Sequence, residues 1–195
     1  MNPLAIPRVA PPVPGGKICG RYMPSWKPDH RAIDFCAPKG TPIISVRPGV
    51  VVLVADTPHG GNNLIIRHDN GLHTYYAHCD RILVREGQQV KRYQQVAVVG
   101  ATGSPNPGVI WIDPHLHMQV MAGQSFSSVH YSPLDFLAQN GIEERDGVMY
   151  WKPGYPQSML ARLASPTVFA GLTLVGLGTL AGYYFWTKAK KQPKE

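Results

Sequence analysis

Cysteine is scarce in this chain, which contains three among its 195 residues: Cys19, Cys36 and Cys79. An odd number permits at most one internal disulfide bond, and the sequence does not decide which pair forms it. None of the three belongs to a Cys-x-x-Cys pair, so a zinc site built on neighbouring thiolates is not expected. The cysteines also leave the redox compartment of the protein undecided.

Acidic residues are few as well, since 12 Asp and Glu oppose 19 Lys and Arg and the formal net charge is +7. A basic surface of this kind suits nucleic acid, anionic lipid or an anionic polymer such as cell wall, and an ordinary soluble protein can also carry it. The sequence shows no nucleic-acid-binding motif, and we therefore expect no nucleic-acid partner.

Helical periodicity is missing before residue 133, and strand patterns take its place. Residues 41–54 are rich in β-branched side chains around a Pro-Gly pair, which predicts two strands and a turn. Residues 63–78 read as strand, Asn-Gly turn and strand, which is a strong hairpin signal. The predicted fold class is therefore mainly β, with an antiparallel sheet or sandwich over residues 17–139.

A short helix is predicted to close this domain in the stretch SPLDFLAQNG. Ser132 can cap the helix, Pro133 suits its first position and Gly141 follows its end. We expect a linker over residues 140–165 after it.

The two ends of the chain differ from this domain. Residues 1–16 are proline-rich, lack the charged start and apolar run of a signal peptide, and are expected to form an extended arm. Residues 167–187 contain no charge and have Tyr and Trp near one end. This pattern predicts one transmembrane helix over residues 166–187, followed by a basic tail at 188–195.

The predicted span contains Gly178 and Gly182 at the GxxxG spacing through which membrane helices associate. Glycine is also common in membrane helices that do not associate, so the spacing is compatible with self-association or with a span that does not associate. The lysines after the span favour a cytoplasmic C-terminus, whereas Lys152 and Arg162 before it weaken that assignment.

Two clusters of potential metal ligands lie far apart in the sequence. His115 and His117 belong to a stretch that alternates as a strand does, so both imidazoles can face one site and bind a divalent metal such as zinc. His30 and Asp34 would lie about 13 Å apart in a straight strand, so a bend or a helical turn must bring them together. A histidine, a carboxylate and a third nitrogen give the three-ligand pattern of catalytic zinc.

A third element is His78 in TYYAHCD, because a histidine beside the metal can move protons near neutral pH. In chain order the sequence has HRAID at 30–34, YAH at 76–78 and HLH at 115–117. These motifs and the segments between them resemble the lysostaphin-type, or LytM, zinc endopeptidases, which cut peptidoglycan cross-links. The family pattern is HxGxD, YxH and HxH, and the resemblance covers residues 17–139.

The resemblance implies a role for each residue that matches the motifs. The implied metal ligands are His30, Asp34 and His117, which would hold one Zn²⁺. His78 and His115 would be the catalytic histidines that activate water and steady the charge on the scissile carbonyl oxygen. The family also uses a tyrosine upstream of the first ligand, and Tyr22 is the candidate for that role.

The sequence departs from the family pattern in three places. Ala32 replaces the usual glycine, residues 105–113 lengthen the loop before HLH and include Trp111, and Cys79 follows the catalytic histidine. We interpret Cys79 as a buried, inert thiol, with a redox-sensitive or metal-competing thiol as the alternative. Four other histidines are interpreted as surface, turn or strand-end residues: His59, His68, His73 and His130.

These patterns predict a membrane-anchored zinc metalloendopeptidase that hydrolyses amide bonds in peptidoglycan cross-links or stem peptides. The alternatives are a catalytically inactive LytM-like module that binds cell wall or activates an amidase, and a structural membrane protein of a virus particle. A short chain with a C-terminal anchor and no export signal favours a bacteriophage protein, either in the internal membrane of a virion for entry or in the host membrane for lysis.

Overall fold

Twelve strands pair into one antiparallel sheet in the part of the chain that this computed structural model describes, which is residues 12–23, 25, 28–104 and 113–151. All of these residues lie within Met1–Pro153, one of the two units into which the chain divides. The elements in chain order are β1 (Lys17–Gly20), β2 (Ile33–Cys36), β3 (Pro42–Ile44), β4 (Gly49–Thr57), β5 (Gly61–His68), β6 (His73–Ile82), β7 (Gln89–Val90), β8 (Gln95–Val99), β9 (His115–Met121), β10 (His130–Tyr131), α1 (Pro133–Gln139), β11 (Ile142–Arg145) and β12 (Val148–Trp151).

The sheet order is β11-β12-β1-β2-β9-β6-β5-β4-β7, with β10 paired to β9, and β8 paired to both β3 and β6. Strands β5 and β6 are buried over most of their length, as expected for central strands covered on both faces. Their apolar side chains join those of β2 and β9 in the core, which includes Phe35, Ile65, Tyr76, Leu116 and Met118. Strand β9 thus lies between β2 and β6 in the middle of the sheet, where its register is fixed on both sides.

Local sequence signals account for several elements, and the predicted antiparallel β fold is confirmed. The Pro-Gly pair separates β3 from β4, and the Asn-Gly pair joins β5 to β6. Helix α1 begins at Pro133, and the Ser132 side chain accepts a hydrogen bond from the Asp135 N–H, as predicted for its cap. The helix ends at Gln139, before Gly141.

The linker that we expected from residue 140 does not begin there, because β11 and β12 form a hairpin whose second strand pairs with β1. Asp146 and Gly147 at its turn have φ of 52° and 78°, which fits a type I′ turn. Ile142 and Met149 are each 1 % exposed, so the hairpin is fixed to the core by apolar burial.

A disulfide bond joins Cys19 in β1 to Cys36 in β2, with their Cα atoms 5.8 Å apart. The predicted membrane span at 166–187, the basic tail, Trp111 and most of the N-terminal arm lie outside the described residues, so these predictions stay open. Within the described part of the chain, no helix combines the length and apolar character needed to cross a membrane.

Candidate active site

The pairing of β2 with β9 brings the two ligand clusters of the sequence together. Asp34 lies opposite His117 and Cys36 lies opposite His115 in this antiparallel register. From His115 to Val120 the side chains of β9 alternate between half-buried and buried, with Leu116 buried between the two half-buried histidines. The strand period therefore presents both histidines of HLH on the face where the carboxylate of Asp34 lies.

His30 reaches the same site from an irregular segment before β2, which supplies the bend that the spacing of His30 and Asp34 requires. Its Nε2 lies 3.1 Å from Oδ2 of Asp34, and Nδ1 of His117 lies 2.9 Å from Oδ1 of the same carboxylate. The ligand atoms of the three residues all lie within 4.8 Å of one another. The carboxylate thus stands between the two imidazoles.

This cluster has the donor set of a zinc site, two imidazole nitrogens and one carboxylate oxygen. Nδ1 of His30 lies 2.7 Å from the carbonyl oxygen of Arg21. A carbonyl only accepts hydrogen bonds, so Nδ1 carries a proton, and in the neutral ring Nε2 is then the atom that can bind a metal ion. The residues therefore fit a divalent ion.

A glycine that the sequence reasoning missed makes room for the carboxylate. Gly20 in β1 pairs with Asp34, and a Cβ atom on Gly20 would lie 2.1 Å from Oδ2 of Asp34. Any side chain at this position would displace the carboxylate or open the strand pair. The signal could have been found only with the β1–β2 register, because nothing local to residue 20 points to residue 34.

The charge state of Asp34 reflects two opposed effects. Burial disfavours the carboxylate, but the hydrogen bond from His117 and the nearby His30 and His115 hold the pKa of Asp34 below its usual value. Asp34 is therefore ionised at neutral pH and available as a ligand.

His78 is placed by a local break in β6. The pairing of β6 with β9 runs as far as Ala77, opposite His117, and His78 then adopts a φ of 61°, which is unusual for a residue with a side chain. Its backbone N–H donates to the carbonyl of Gly60 at 2.8 Å. The break turns the imidazole toward the site, with its ring centroid 4.8 Å from that of His115.

Both of these histidines hold Nδ1 against a backbone carbonyl. Nδ1 of His78 donates to the carbonyl of Thr102 at 2.8 Å, and Nδ1 of His115 donates to the carbonyl of Asp113 at 2.7 Å. In neutral imidazole the proton on Nδ1 leaves Nε2 as an acceptor. Burial lowers the pKa of His78 to about 4, so its ring is neutral near pH 7. His78 can therefore accept a proton from a nucleophile at Nε2.

The remaining sequence-predicted residues have varied surroundings. The Tyr22 hydroxyl donates to the carbonyl of His130 at 3.4 Å, and its catalytic role stays a prediction. Ala32 is buried without a positive φ, so its methyl group causes no backbone strain. Cys79 is a free, buried thiol whose pKa burial raises to about 12, as expected for an inert cysteine.

Two histidines are less exposed than we expected. His73 is 8 % exposed, so its interpretation as a surface or turn residue was wrong. His130 lies in β10 and is half-buried, with its Nε2 3.1 Å from Oε1 of Gln119. Gln119 itself lies 3.0 Å from His117. Nothing in the sequence indicated Gln119, and nothing in it indicated that His130 contacts it.

Known proteins match the part of the chain that contains these site residues. The sequence profile of Peptidase family M23 matches residues 28–129, more than half of the chain. Peptidoglycan DD-endopeptidase ShyB of Vibrio cholerae is 40% identical over 104 residues, which cover 53% of this chain and 22% of that protein. Murein hydrolase activator NlpD of Salmonella typhimurium is 34% identical over 120 residues, 60% of this chain and 30% of that protein.

Among solved structures, the antimicrobial peptidase lysostaphin from Staphylococcus simulans superposes with a TM-score of 0.57 at 29% identity, covering 65% of this chain and 50% of that one. The chain spans less than a third of the length of the two curated relatives above. Because the family profile covers the segment that contains all three motifs, this chain belongs to Peptidase family M23.

Proposed function

We propose that the protein is a zinc metalloendopeptidase that hydrolyses amide bonds in peptidoglycan cross-links or stem peptides. The observation that carries the proposal is the convergence of His30, Asp34 and His117, whose ligand atoms lie within 4.8 Å of one another. Two further histidines, His78 and His115, lie beside this cluster with their Nδ1 atoms against backbone carbonyls. The name of the relative ShyB, a peptidoglycan DD-endopeptidase, supports the substrate class.

The chemistry follows from the donor set and from the two histidines whose Nδ1 atoms donate to backbone carbonyls. His30, Asp34 and His117 would hold one Zn²⁺, which when bound supplies a Lewis acid that polarises a carbonyl and lowers the pKa of water. His78 and His115 can accept a proton at Nε2 and later donate it to the leaving amine. As imidazolium, either ring also steadies negative charge on the carbonyl oxygen.

Release of soluble fragments from purified, dye-labelled peptidoglycan tests the proposal. We expect the zinc-supplemented full chain to release dye and Asp34→Ala to release none. Asp56→Ala is the matched control, because Asp56 is an exposed aspartate on β4, outside the site. Folded, zinc-bound wild type that releases no fragments would contradict the proposal.

The second candidate function is an inactive module that binds cell wall or activates an amidase. The relative NlpD is named as a murein hydrolase activator, which is the observation that favours it. A gel containing peptidoglycan separates the two functions, because an enzyme clears a band by itself. An activator clears none and raises the rate of an added amidase instead.

We also propose an extracytoplasmic, membrane-anchored setting in a bacteriophage particle or its host. The Cys19–Cys36 disulfide supports a compartment outside the reducing cytoplasm, where peptidoglycan also lies. The charge-free stretch at 167–187 supports a single anchor in a lipid bilayer, and Gly178 and Gly182 support self-association within it.

Mass spectrometry of purified particles and of host membrane fractions tests this setting. The protein should resist extraction by carbonate and dissolve in detergent. If the protein is present in host membranes and absent from every virion preparation, the proposed place in the virion is wrong. A purely structural virion protein would instead be found in virions but would clear no peptidoglycan.

A further inference from the structure

We propose that Gln119 is a positioning residue for the metal site. Its side-chain amide accepts a hydrogen bond from the Nε2–H of His117 and thereby keeps Nδ1 of that histidine as the ligand atom. This inference rests on the proposed function, because it assumes that His117 binds an ion. Gln119 and His130, which contacts it, both lie outside the three motifs that match the family pattern.

The geometry places Gln119 directly behind the ligand. Gln119 follows His115 and His117 at the next position of the same strand face, and all three are half-buried. Its amide lies 3.0 Å from Nε2 of His117, on the side of the ring opposite to Asp34. The other end of the amide lies 3.1 Å from Nε2 of His130 in β10. Asp34, His117, Gln119 and His130 therefore form one continuous hydrogen-bonded chain.

The hydrogen bonds in this series of side chains run from donor to acceptor in one direction, and a bound ion would decide which direction that is. As the amide is placed, Gln119 Nε2 donates to His117, so the His117 proton is on Nδ1 and is donated to Asp34. A metal bond at Nδ1 requires the opposite arrangement, with the lone pair on Nδ1 and the proton on Nε2. That proton needs an acceptor, and the amide oxygen of Gln119 is the group within reach.

A half-turn of the amide, with a change of tautomer in His117 and His130, supplies this acceptor without moving any other heavy atom, because the amide oxygen and nitrogen have nearly the same shape. The amide N–H then faces His130, whose Nε2 must accept. A neutral imidazole can donate in one direction and accept in the other, which lysine or arginine cannot do. His130 is therefore suited to either orientation of the amide.

The two histidine ligands are supported in different ways. The distal nitrogen of His30 donates to a backbone carbonyl, that of Arg21, which no substitution removes. The distal nitrogen of His117 depends on a side chain. Hydrogen-bond partners of this kind are typically worth about 10- to 100-fold in metal affinity.

Competition for Zn²⁺ between the full chain and a chromophoric chelator tests the proposal. Gln119→Leu, which has similar volume and no acceptor, should weaken zinc binding about 10- to 100-fold. Gln119→Glu keeps an acceptor and should bind zinc within about threefold of wild type or more tightly. Gln124→Leu is the matched control and should bind as wild type does, because Gln124 is an exposed glutamine that donates to the carbonyl of Val52.

Nitrogen-15 NMR of the histidines in the zinc-loaded wild type gives a readout that does not depend on any variant folding. The expected result is a proton on Nε2 of His117, and a proton on Nδ1 would overturn the proposal. Zinc binding by Gln119→Leu equal to that of wild type would also overturn it. Wild type that binds no divalent ion would instead refute the proposed function, so the two failures are distinguishable.

Discussion

At the scale of single residues, the two histidines of His115-Leu116-His117 differ in what surrounds them. His117 faces Asp34 through Nδ1, whereas His115 has its Nδ1 tied to the carbonyl of Asp113 and its ring next to His78. The strand period puts both rings on one face, but the register with β2 gives only one of them a carboxylate neighbour. We therefore propose that His117 is a ligand and that His115 transfers a proton.

Alanine substitutions at the two positions should fail in different ways. His117→Ala should lose zinc and activity together, as should Asp34→Ala. His115→Ala should retain stoichiometric zinc and lose about 10²- to 10⁴-fold in rate, because it removes a proton-transfer group only. Metal analysis and peptidoglycan hydrolysis on the same samples make the measurement. Loss of zinc from His115→Ala equal to that from His117→Ala would contradict this division of roles.

His68 should make the fold sensitive to acid. It is buried, with Nδ1 3.0 Å from the carbonyl oxygen of Pro48 and Nε2 2.8 Å from the hydroxyl oxygen of Thr74. Burial lowers its pKa to about 4, so between pH 6.5 and 4 the unfolded chain binds a proton that the folded chain does not. The free energy of unfolding should therefore fall by about 3 kcal/mol as the pH drops from 6.5 to 4. Above pH 6.5 the ring is neutral in both states, and its protonation costs no stability.

Urea unfolding at pH 7 and pH 4.5 measures this effect. His68→Gln should be less stable than wild type at pH 7, because the buried contacts change, but it should lose less stability on acidification. His59→Gln serves as the control, since His59 is exposed. An unchanged pH dependence in His68→Gln would show that other groups account for the acid sensitivity.

At the scale of elements, the close approach of β1 to β2 is a requirement of the site. Gly20→Ala should weaken zinc binding by at least about tenfold, because the added Cβ would lie 2.1 Å from the Asp34 carboxylate oxygen and must displace it. Gly123→Ala is the control, since the atom that its Cβ would meet is the hydroxyl of Ser128, the end of a rotatable side chain. Chelator competition on both variants makes the comparison, and equal zinc affinity would contradict the steric argument.

The disulfide bond fastens the same two strands. It closes a sequence separation of 17 residues, for which the loss of unfolded-chain entropy is worth about 3 kcal/mol. The double variant Cys19→Ser, Cys36→Ser should lower the midpoint of thermal unfolding, and reductant should lower it in wild type alone. A wild-type midpoint that does not respond to reductant would indicate that the bond contributes nothing to stability.

The elements predicted from sequence are those that local residues determine. Pro133 and Ser132 define the start of α1, and the Asn70-Gly71 turn defines the β5–β6 hairpin. The Asp146-Gly147 pair is an equivalent turn signal for the β11–β12 hairpin, but we expected a linker over these residues. Its strands are only four residues each, too short for alternation alone to indicate them.

The parts that sequence reasoning could not supply depend on contacts between distant strands. The pairing of Cys19 with Cys36, the need for glycine at position 20 and the contact of Gln119 with His130 follow from the registers of β1 with β2 and of β9 with β10. No spacing within a single strand encodes these registers. The ligand cluster itself was accessible because its motifs match a family pattern residue by residue.

At the scale of the whole molecule, the candidate site joins parts of the chain more than 80 residues apart. His30 lies just before β2, Asp34 lies in β2, His78 lies in β6 and the HLH motif lies in β9. The site therefore exists only in the folded domain, and an ion bound there would stabilise the fold by mass action. The central claim is that this assembled site hydrolyses peptide bonds in cell wall.

Mass analysis of fragments released from chemically defined peptidoglycan tests that claim most directly. With zinc, the full chain should release fragments that have gained one water at a single type of amide bond, with a new amine and a new carboxyl group. Chelator should stop the release, and added zinc should restore it. Intact peptidoglycan after incubation with folded, zinc-bound protein would contradict the account.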